Sequence, residues 1–338
     1  MDAEAVQAQR AVMLNTRQKV VGLALAATVS VALALIVVEI ALRVTGFEYQ
    51  AFPVVQVGWP DPKALTQVYR SDPDLLWVTR NYDDGLEAGR RAAPAVVFMG
   101  DSCTEFGTYP SKTLAILSAE RPLLKRGIKV GVGGWTVVQG SWQLDRDVLP
   151  MHPHVVTIYY GWNDHWIALG PPDTEIRRDR VLTWLSDHVR TVQLLAKVRA
   201  ALGGPVSGRP NRVDVATYES TLTDMVRRIH ATGAQAVLIT AGANHVAGSE
   251  PEYLKMRHLR RLDDLIPVHQ AYVEATRRAA KSSGAILCDA AAHFAAMPDR
   301  HRLFRRDGIH LTEEGDRDLA RLLATCIERA DGVRASLH

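Results

Sequence analysis

The sequence is poor in cysteine: three residues in 338, Cys103, Cys288 and Cys326. An odd count in a chain of this length excludes a small disulfide scaffold. The thiols are expected to be free and buried, with a Cys288–Cys326 bridge as the alternative in an oxidising compartment. Charge of one sign is also missing. Forty Lys and Arg face 37 Asp and Glu, a formal net charge of +3. Such balance excludes a dedicated nucleic-acid binder, and no nucleic-acid partner is expected. Internal repeats and low-complexity tracts are absent, and 47% hydrophobic against 23% charged residues excludes wholesale disorder. Long apolar runs are absent with one exception, and a mean hydropathy of -0.06 excludes a polytopic membrane protein.

The exception is VVGLALAATVSVALALIVV, residues 20–38, which carries no charge. About 20 apolar residues at 1.5 Å each span a bilayer core of roughly 30 Å. Apolarity on every face, without proline, does not suit a buried core helix. Arg10, Arg17 and Lys19 precede the run, and only Arg43 follows before Lys63. The positive-inside bias therefore puts the N-terminus in the cytoplasm and the rest outside, in the periplasm if the cell is Gram-negative. The alternative is a cleaved signal peptide, whose apolar region is usually only ~7–15 residues. The small residues Ala24 and Ala26 lie inside the run instead of after it, which favours an uncleaved anchor. Glu39 and Arg43, four apart, read as an interfacial helix pair. The expected layout is a cytoplasmic tail (1–18), a membrane anchor (19–43), a Pro-containing juxtamembrane connector (44–92) partly packed on the domain, and one folded domain (93–338).

That domain alternates short apolar runs with amphipathic stretches. Residues 95–99, 128–132, 155–160, 236–240 and 285–288 read as buried strands. Residues 218–231 and 268–282 read as helices, each ending in a small-residue turn (Thr232-Gly233, Ser283-Gly284). The pattern predicts an α/β fold: a five-stranded parallel sheet covered on both faces, with ligands at the carboxyl ends of the strands. In the long interval 161–235, Leu182, Leu185, Val189, Val192, Leu195 and Val198 follow one helical face. A core-packing helix is expected there, with a lid over the active edge as the alternative.

Chemistry-bearing residues follow the strands. Gly100-Asp101-Ser102 comes after the first, Gly131 to Thr136 after the second, and Gly161-Trp162-Asn163-Asp164 after the third. Asp307-Gly308-Ile309-His310 precedes the last helix. A hydroxyl nucleophile needs a base, the base an orienter, and the oxyanion donors. Ser102 suits the first role, His310 the second and Asp307 the third. The backbone N–H groups of Ser102 and Gly134 and the Asn163 amide suit the oxyanion. A dinucleotide loop is excluded because Thr136 stands where its last small residue is needed. No G-x-S-x-G elbow surrounds Ser102. His152-Pro153-His154 precedes the third strand, at the opposite edge, and reads as a turn instead of a metal pair. Trp162, His165 and Trp166 are candidates for a pocket wall. Asp101 and Asp164 are expected to fix loops by backbone hydrogen bonds. Arg300, Arg302, Arg305 and Arg306 read as a solvated face, with a pocket rim for anionic groups as the alternative.

The blocks FMGDSCTEFG, VGVGGWT, YGWND and DGIH, in this order, resemble the SGNH/GDSL hydrolase superfamily over about residues 93–328. The resemblance implies a three-layer αβα sandwich of flavodoxin-like character. It implies Ser102 as nucleophile, His310 as base, Asp307 as its partner, and Ser102, Gly134 and Asn163 as the oxyanion hole. Two positions depart from the pattern. Cys103 stands where Leu gives the family its name, and Lys129 stands where Asn commonly opens the second block, so that Asn's supporting hydrogen bond is not supplied. The expected activity is a serine esterase acting through an acyl-enzyme, with no metal or organic cofactor. Its partners would be an acylated glycan or lipid substrate and the membrane. The same set also permits an O-acyltransferase, or a non-catalytic envelope protein that keeps the fold.

Overall fold

The computed structural model describes residues 3–49, 65, 67–168, 170–202, 208–254 and 258–336. The chain opens with α1 (Ala3–Val44). Within it, Gln18–Val44 is long and apolar enough to cross a membrane, and its apolar window is not buried against the rest of the chain. It is the one such helix among the described residues.

Part of the expected connector is built into the fold. β1 (Tyr69–Asp72) and β2 (Leu76–Thr79) pair antiparallel, with Arg70 opposite Val78. The helix α2 (Tyr82–Ala92) follows. Leu75, Trp77 and Val78 are fully buried in the core. The strands are four residues each, too short for alternation to register as a period. Residues 50–64 and 66 of that stretch lie outside the described residues.

The α/β alternation then proceeds as expected. In chain order come β3 (Val96–Gly100), α3 (Ser102–Glu105), α4 (Tyr109–Glu120), β4 (Gly127–Lys129), α5 (Val137–Gln143) and β5 (Val155–Tyr159). They are followed by α6 (Arg180–His188), α7 (Arg190–Ala201), α8 (Val215–His230), β6 (Gln235–Ile239), α9 (Leu265–Ser283), β7 (Ile286–Cys288), α10 (Ala290–Ala295) and α11 (Glu313–Ser336). β3 to β7 form one parallel sheet in the order β4-β3-β5-β6-β7.

Successive strand residues feed opposite faces, as the period of two requires. Val97, Met99, Val156, Ile158, Ala236 and Leu238 share one core with Leu222, Met225 and Ile229 of α8 and with Trp77. Val96, Phe98, Val155, Tyr159, Val237 and Ile239 share the other with Leu117 of α4 and Leu319, Leu323 and Ile327 of α11. These are the two helical layers of the αβα sandwich. The cysteines are free and buried.

Two expectations need correction. β4 ends at Lys129, not at residue 132. Val130 and Val132 still donate to the carbonyls of Phe98 and Gly100 at 2.9 and 3.1 Å, but as the start of a loop. The helix expected in the long interval is two helices, broken where Val189 turns extended (φ -112, ψ 107). It does not pack on the core: α6 has no buried residue, and Leu182, Leu195 and Val198 are exposed.

Candidate active site

The parallel register places Gly100 of β3 opposite Tyr159 of β5, so the loops after both strands leave from one edge. Asp101 joins them. One of its carboxylate oxygens accepts from the Cys103 N–H at 2.9 Å, capping α3. The other accepts from Asn163 Nδ2 at 3.1 Å. The loop after β4 joins the same edge through the Glu105 carboxylate, which accepts from the Gly133 N–H and, at 2.9 Å, from the Tyr69 hydroxyl.

Gly134 has φ +79, in the left-handed region that glycine enters without steric cost. Its carbonyl accepts from Arg212 Nη1 at 2.7 Å. Arg212 is paired at 2.7 Å with Asp173, and neither side chain has any exposed surface. Asp173 also accepts from Thr136 Oγ1 and Gln139 Nε2, both at 2.9 Å. Asp164 accepts from the N–H of Val137 and of Gly161, at 2.8 and 3.0 Å. Glu105, Arg212–Asp173 and Asp164 therefore hold the Gly133 to Gln139 loop from separate directions.

Opposite this loop, Asp307 organises its own turn. One oxygen accepts from the Ile309 and His310 N–H groups at 2.8 and 2.9 Å. The other pairs with His310 Nδ1 at 2.8 Å, and His310 Nε2 lies 2.9 Å from Ser102 Oγ. The two side chains keep 28% and 22% of their surface. Gly308 makes the turn close. Its φ is +69, and a Cβ there would come within 2.6 Å of His245 Nε2. That imidazole instead donates to the Asp307 carbonyl at 2.8 Å.

Charge follows from burial and contact. Burial pushes Asp307 up, but the hydrogen bonds from His310 and from the Ile309 and His310 N–H groups outweigh it and hold the carboxyl below its ordinary value. Asp101 is buried and pushed up to about 6, against the pull of Cys103 N–H, His310 and Asn163. Asp164 is pushed up by burial to about 7. Burial raises the Cys103 thiol as well, which leaves it a poor nucleophile beside Ser102. Taken together, a hydroxyl, an imidazole and a carboxylate stand in hydrogen-bonded series at the sheet edge that the loop after β4 also joins. Such a series can move a proton off the hydroxyl and carry the resulting imidazolium charge.

The other sequence candidates fall out as follows. Trp162, His165 and Trp166 are buried, not on an open pocket wall. They pack with His269 of α9, whose ring stacks on Trp162 at 3.9 Å between centroids. Burial lowers the basicity of both His165 and His269, the latter to about 4. His152 sits in a left-handed turn before β5, at the far end of the sheet. No metal-binding group occurs among the described residues. Arg305 is pinned to the His310 and Leu311 carbonyls, and Arg302 faces Asp299 and Glu314. Lys129 donates to the carbonyls of Glu105, at 2.6 Å, and of Gly107, at 3.3 Å. It thereby ties the second block to the first where the family's Asn is missing. Sequence reasoning missed Tyr69, Glu105, Asp173, Arg212 and His245. Glu105 lies inside the first block and its position was a usable signal; the other four carry no local pattern.

The GDSL-like lipase/acylhydrolase family model matches residues 98–317, well over half of the chain. The chain belongs to this family, and it is an ester hydrolase of the SGNH/GDSL type. Among solved structures it is similar to a lipase/acylhydrolase from Enterococcus faecalis, at 18% identity and a TM-score of 0.46 over 69% of this chain and 95% of that one. It is also similar to a putative GDSL-like lipase from Parabacteroides merdae, at 17% identity and a TM-score of 0.47, covering 69% and 94%. An acetylxylan esterase from Geobacillus stearothermophilus gives 19% identity and a TM-score of 0.43, covering 70% and 93%. No curated protein matches the chain.

Proposed function

We propose that the protein is a membrane-anchored serine esterase that cleaves acyl esters of an envelope glycan or lipid outside the cytoplasm. One observation carries the reading: the series Asp307 carboxylate, His310 and Ser102 hydroxyl, closed at 2.8 and 2.9 Å. Ser102 Oγ attacks the acyl carbon while His310 Nε2 takes its proton. Asp307 holds the imidazole by Nδ1–H and stabilises it when charged. The oxyanion meets the N–H groups of Ser102 and Gly134 and the Asn163 amide. That amide has two N–H donors, and its contact with Asp101 uses one. His310 then protonates the departing alcohol, and water activated by the same His310 cleaves the acyl-enzyme. A positioned donor of this kind is worth about 10²–10³ in rate.

Anchoring by residues 19–43, with residues 93–338 as the hydrolase unit, is supported by the apolar helix within Gln18–Val44. The basic residues on its N-terminal side support a cytoplasmic N-terminus. The buried hairpin β1–β2 argues for counting residues 69–92 with the hydrolase unit. Ser102→Ala should abolish hydrolysis of p-nitrophenyl acetate with the circular dichroism spectrum unchanged. Undiminished activity in that variant contradicts the assignment, and acyl transfer to a glycan hydroxyl outrunning hydrolysis would redirect it to an acyltransferase.

A further inference from the structure

Outside α1, the exposed large apolar side chains gather in one place. Val181, Leu182, Trp184, Leu195, Val198 and Leu202 all lie on or just past α6 and α7. Elsewhere among the described residues only Val68, Phe106 and Val246 are comparably bare. Trp184 keeps 56% of its surface and Leu202 keeps 80%. Leu195, Val198 and Leu202 are spaced three and four apart, so they form one stripe along α7. A monomeric soluble surface does not usually carry apolar residues in this concentration.

The position of this hairpin identifies what covers it. The charge-free run of α1 ends at Val38, and Glu39 is the first charged residue after it. The Glu39 carboxylate accepts from the N–H of Arg190 at 3.0 Å and of Thr191 at 2.8 Å, the first turn of α7. It also accepts from the Thr191 hydroxyl at 2.9 Å. Arg43 reaches the His188 carbonyl at 2.6 Å, at the end of α6. The segment after α1 continues the clamp. Glu48 pairs with Arg190, the Tyr49 N–H donates to Gln193 at 3.1 Å, and Lys197 lies over the Phe47 ring at 5.4 Å. The junction of α6 and α7 is thus fixed to the helix where its apolar run gives way to charge. That level is the boundary between hydrocarbon and water if α1 spans.

We propose that α6 and α7 lie on the bilayer surface with these apolar side chains in the headgroup–acyl boundary. The inference rests on the reading of α1 as a membrane anchor. Apolar side chains with Trp on one side, and Arg and Lys beside them, are the composition of an interfacial helix. The hairpin is also tied to the hydrolase core. Ser71 of β1 donates to Asp187 at 2.6 Å, and Arg180 pairs with Asp74 at 3.3 Å. Two attachments, one through α1 and one through the hairpin, would hold the hydrolase unit at a fixed tilt to the membrane instead of letting it swing on a tether.

The test uses the full chain in vesicles of phosphatidylethanolamine and phosphatidylglycerol. The native cysteines are buried, so Leu195→Cys, Leu202→Cys and, as a control at an exposed position of α8, Ser220→Cys can each be labelled with an environment-sensitive NBD probe. The proposal expects emission at 195 and 202 to rise several-fold on reconstitution and to be quenched by doxyl-labelled lipid, with the 220 probe unchanged. Water-like emission at 195 and 202, in protein that resists alkaline carbonate extraction, overturns the proposal while the anchor stands. A rise without doxyl quenching means that protein covers the face, and overturns it too. Release by carbonate removes the anchor reading and the proposal with it.

Discussion

Two side-chain pairs bear on the candidate site, one joined to the Ser102 hydroxyl and one to the Gly134 loop, and they are built differently. Asp307 and His310 are three residues apart on one turn and keep about a quarter of their surface. Arg212 and Asp173 are 39 residues apart and keep none. In the proposed mechanism the first pair gains and loses a proton in each turnover; it stays near solvent and is held by short-range backbone N–H groups. The second pair lies wholly in the interior. Its burial is compensated by hydrogen bonds to Gly134, Thr136 and Gln139, which tie down the loop that carries Gly134. In the proposed mechanism the chemistry sits at the rim, and the contacts that brace the loop sit in the interior.

The sharpest way to separate the two pairs is to break each in turn. His310→Ala should lower kcat/KM for p-nitrophenyl acetate by about 10³-fold or more and leave thermal unfolding nearly unchanged. Arg212→Met should do the reverse in emphasis. Leaving Asp173 buried without its partner costs about 3–5 kcal/mol of stability, readable by urea unfolding in detergent. If Arg212→Met were as stable as the parent, the interior pair would not be the brace described here.

Smaller effects sharpen the comparison. Glu105→Gln keeps the shape but weakens the acceptor for Gly133 and Tyr69. A loss of about 1–3 kcal/mol in transition-state stabilisation is expected, seen in kcat more than in KM. Tyr69→Phe should cost about 1 kcal/mol by the same measurement. A separate effect concerns pH. Asp164, raised to about 7, holds a proton in the folded chain that an unfolded carboxyl with a pKa near 3.8 has released. Its contribution is therefore full below that unfolded value and is lost as pH rises through about 7. The melting-temperature gap between the parent and Asp164→Asn should shrink between pH 5 and pH 8. A gap that widens with pH contradicts the assigned burial effect.

The legible parts of the molecule share a cause. Strands such as VVFM and VVTIY are apolar on both faces because helices cover both faces, so composition alone reveals them. Ser102 is legible because it follows a strand end, and Asp307 and His310 because they lie three residues apart; the Ser102–His310 contact spans 208 positions and was legible only through the family resemblance. Tyr69 and Arg212 were hidden for the opposite reason. Each acts across 36 or more positions, Tyr69 on Glu105 and Arg212 on Asp173, and no local period marks such a pair. The α6–α7 stripe was visible but misread, since an apolar helical face looks the same whether a core or a bilayer receives it.

The central claim is that Ser102 carries the acyl group. Its most direct test is labelling of the full-length protein with a fluorophosphonate, followed by peptide mass spectrometry. The account predicts a single adduct on Ser102, lost in His310→Ala and suppressed by a competing ester. An adduct on another residue with Ser102 unmodified, in protein that still hydrolyses esters, would contradict it.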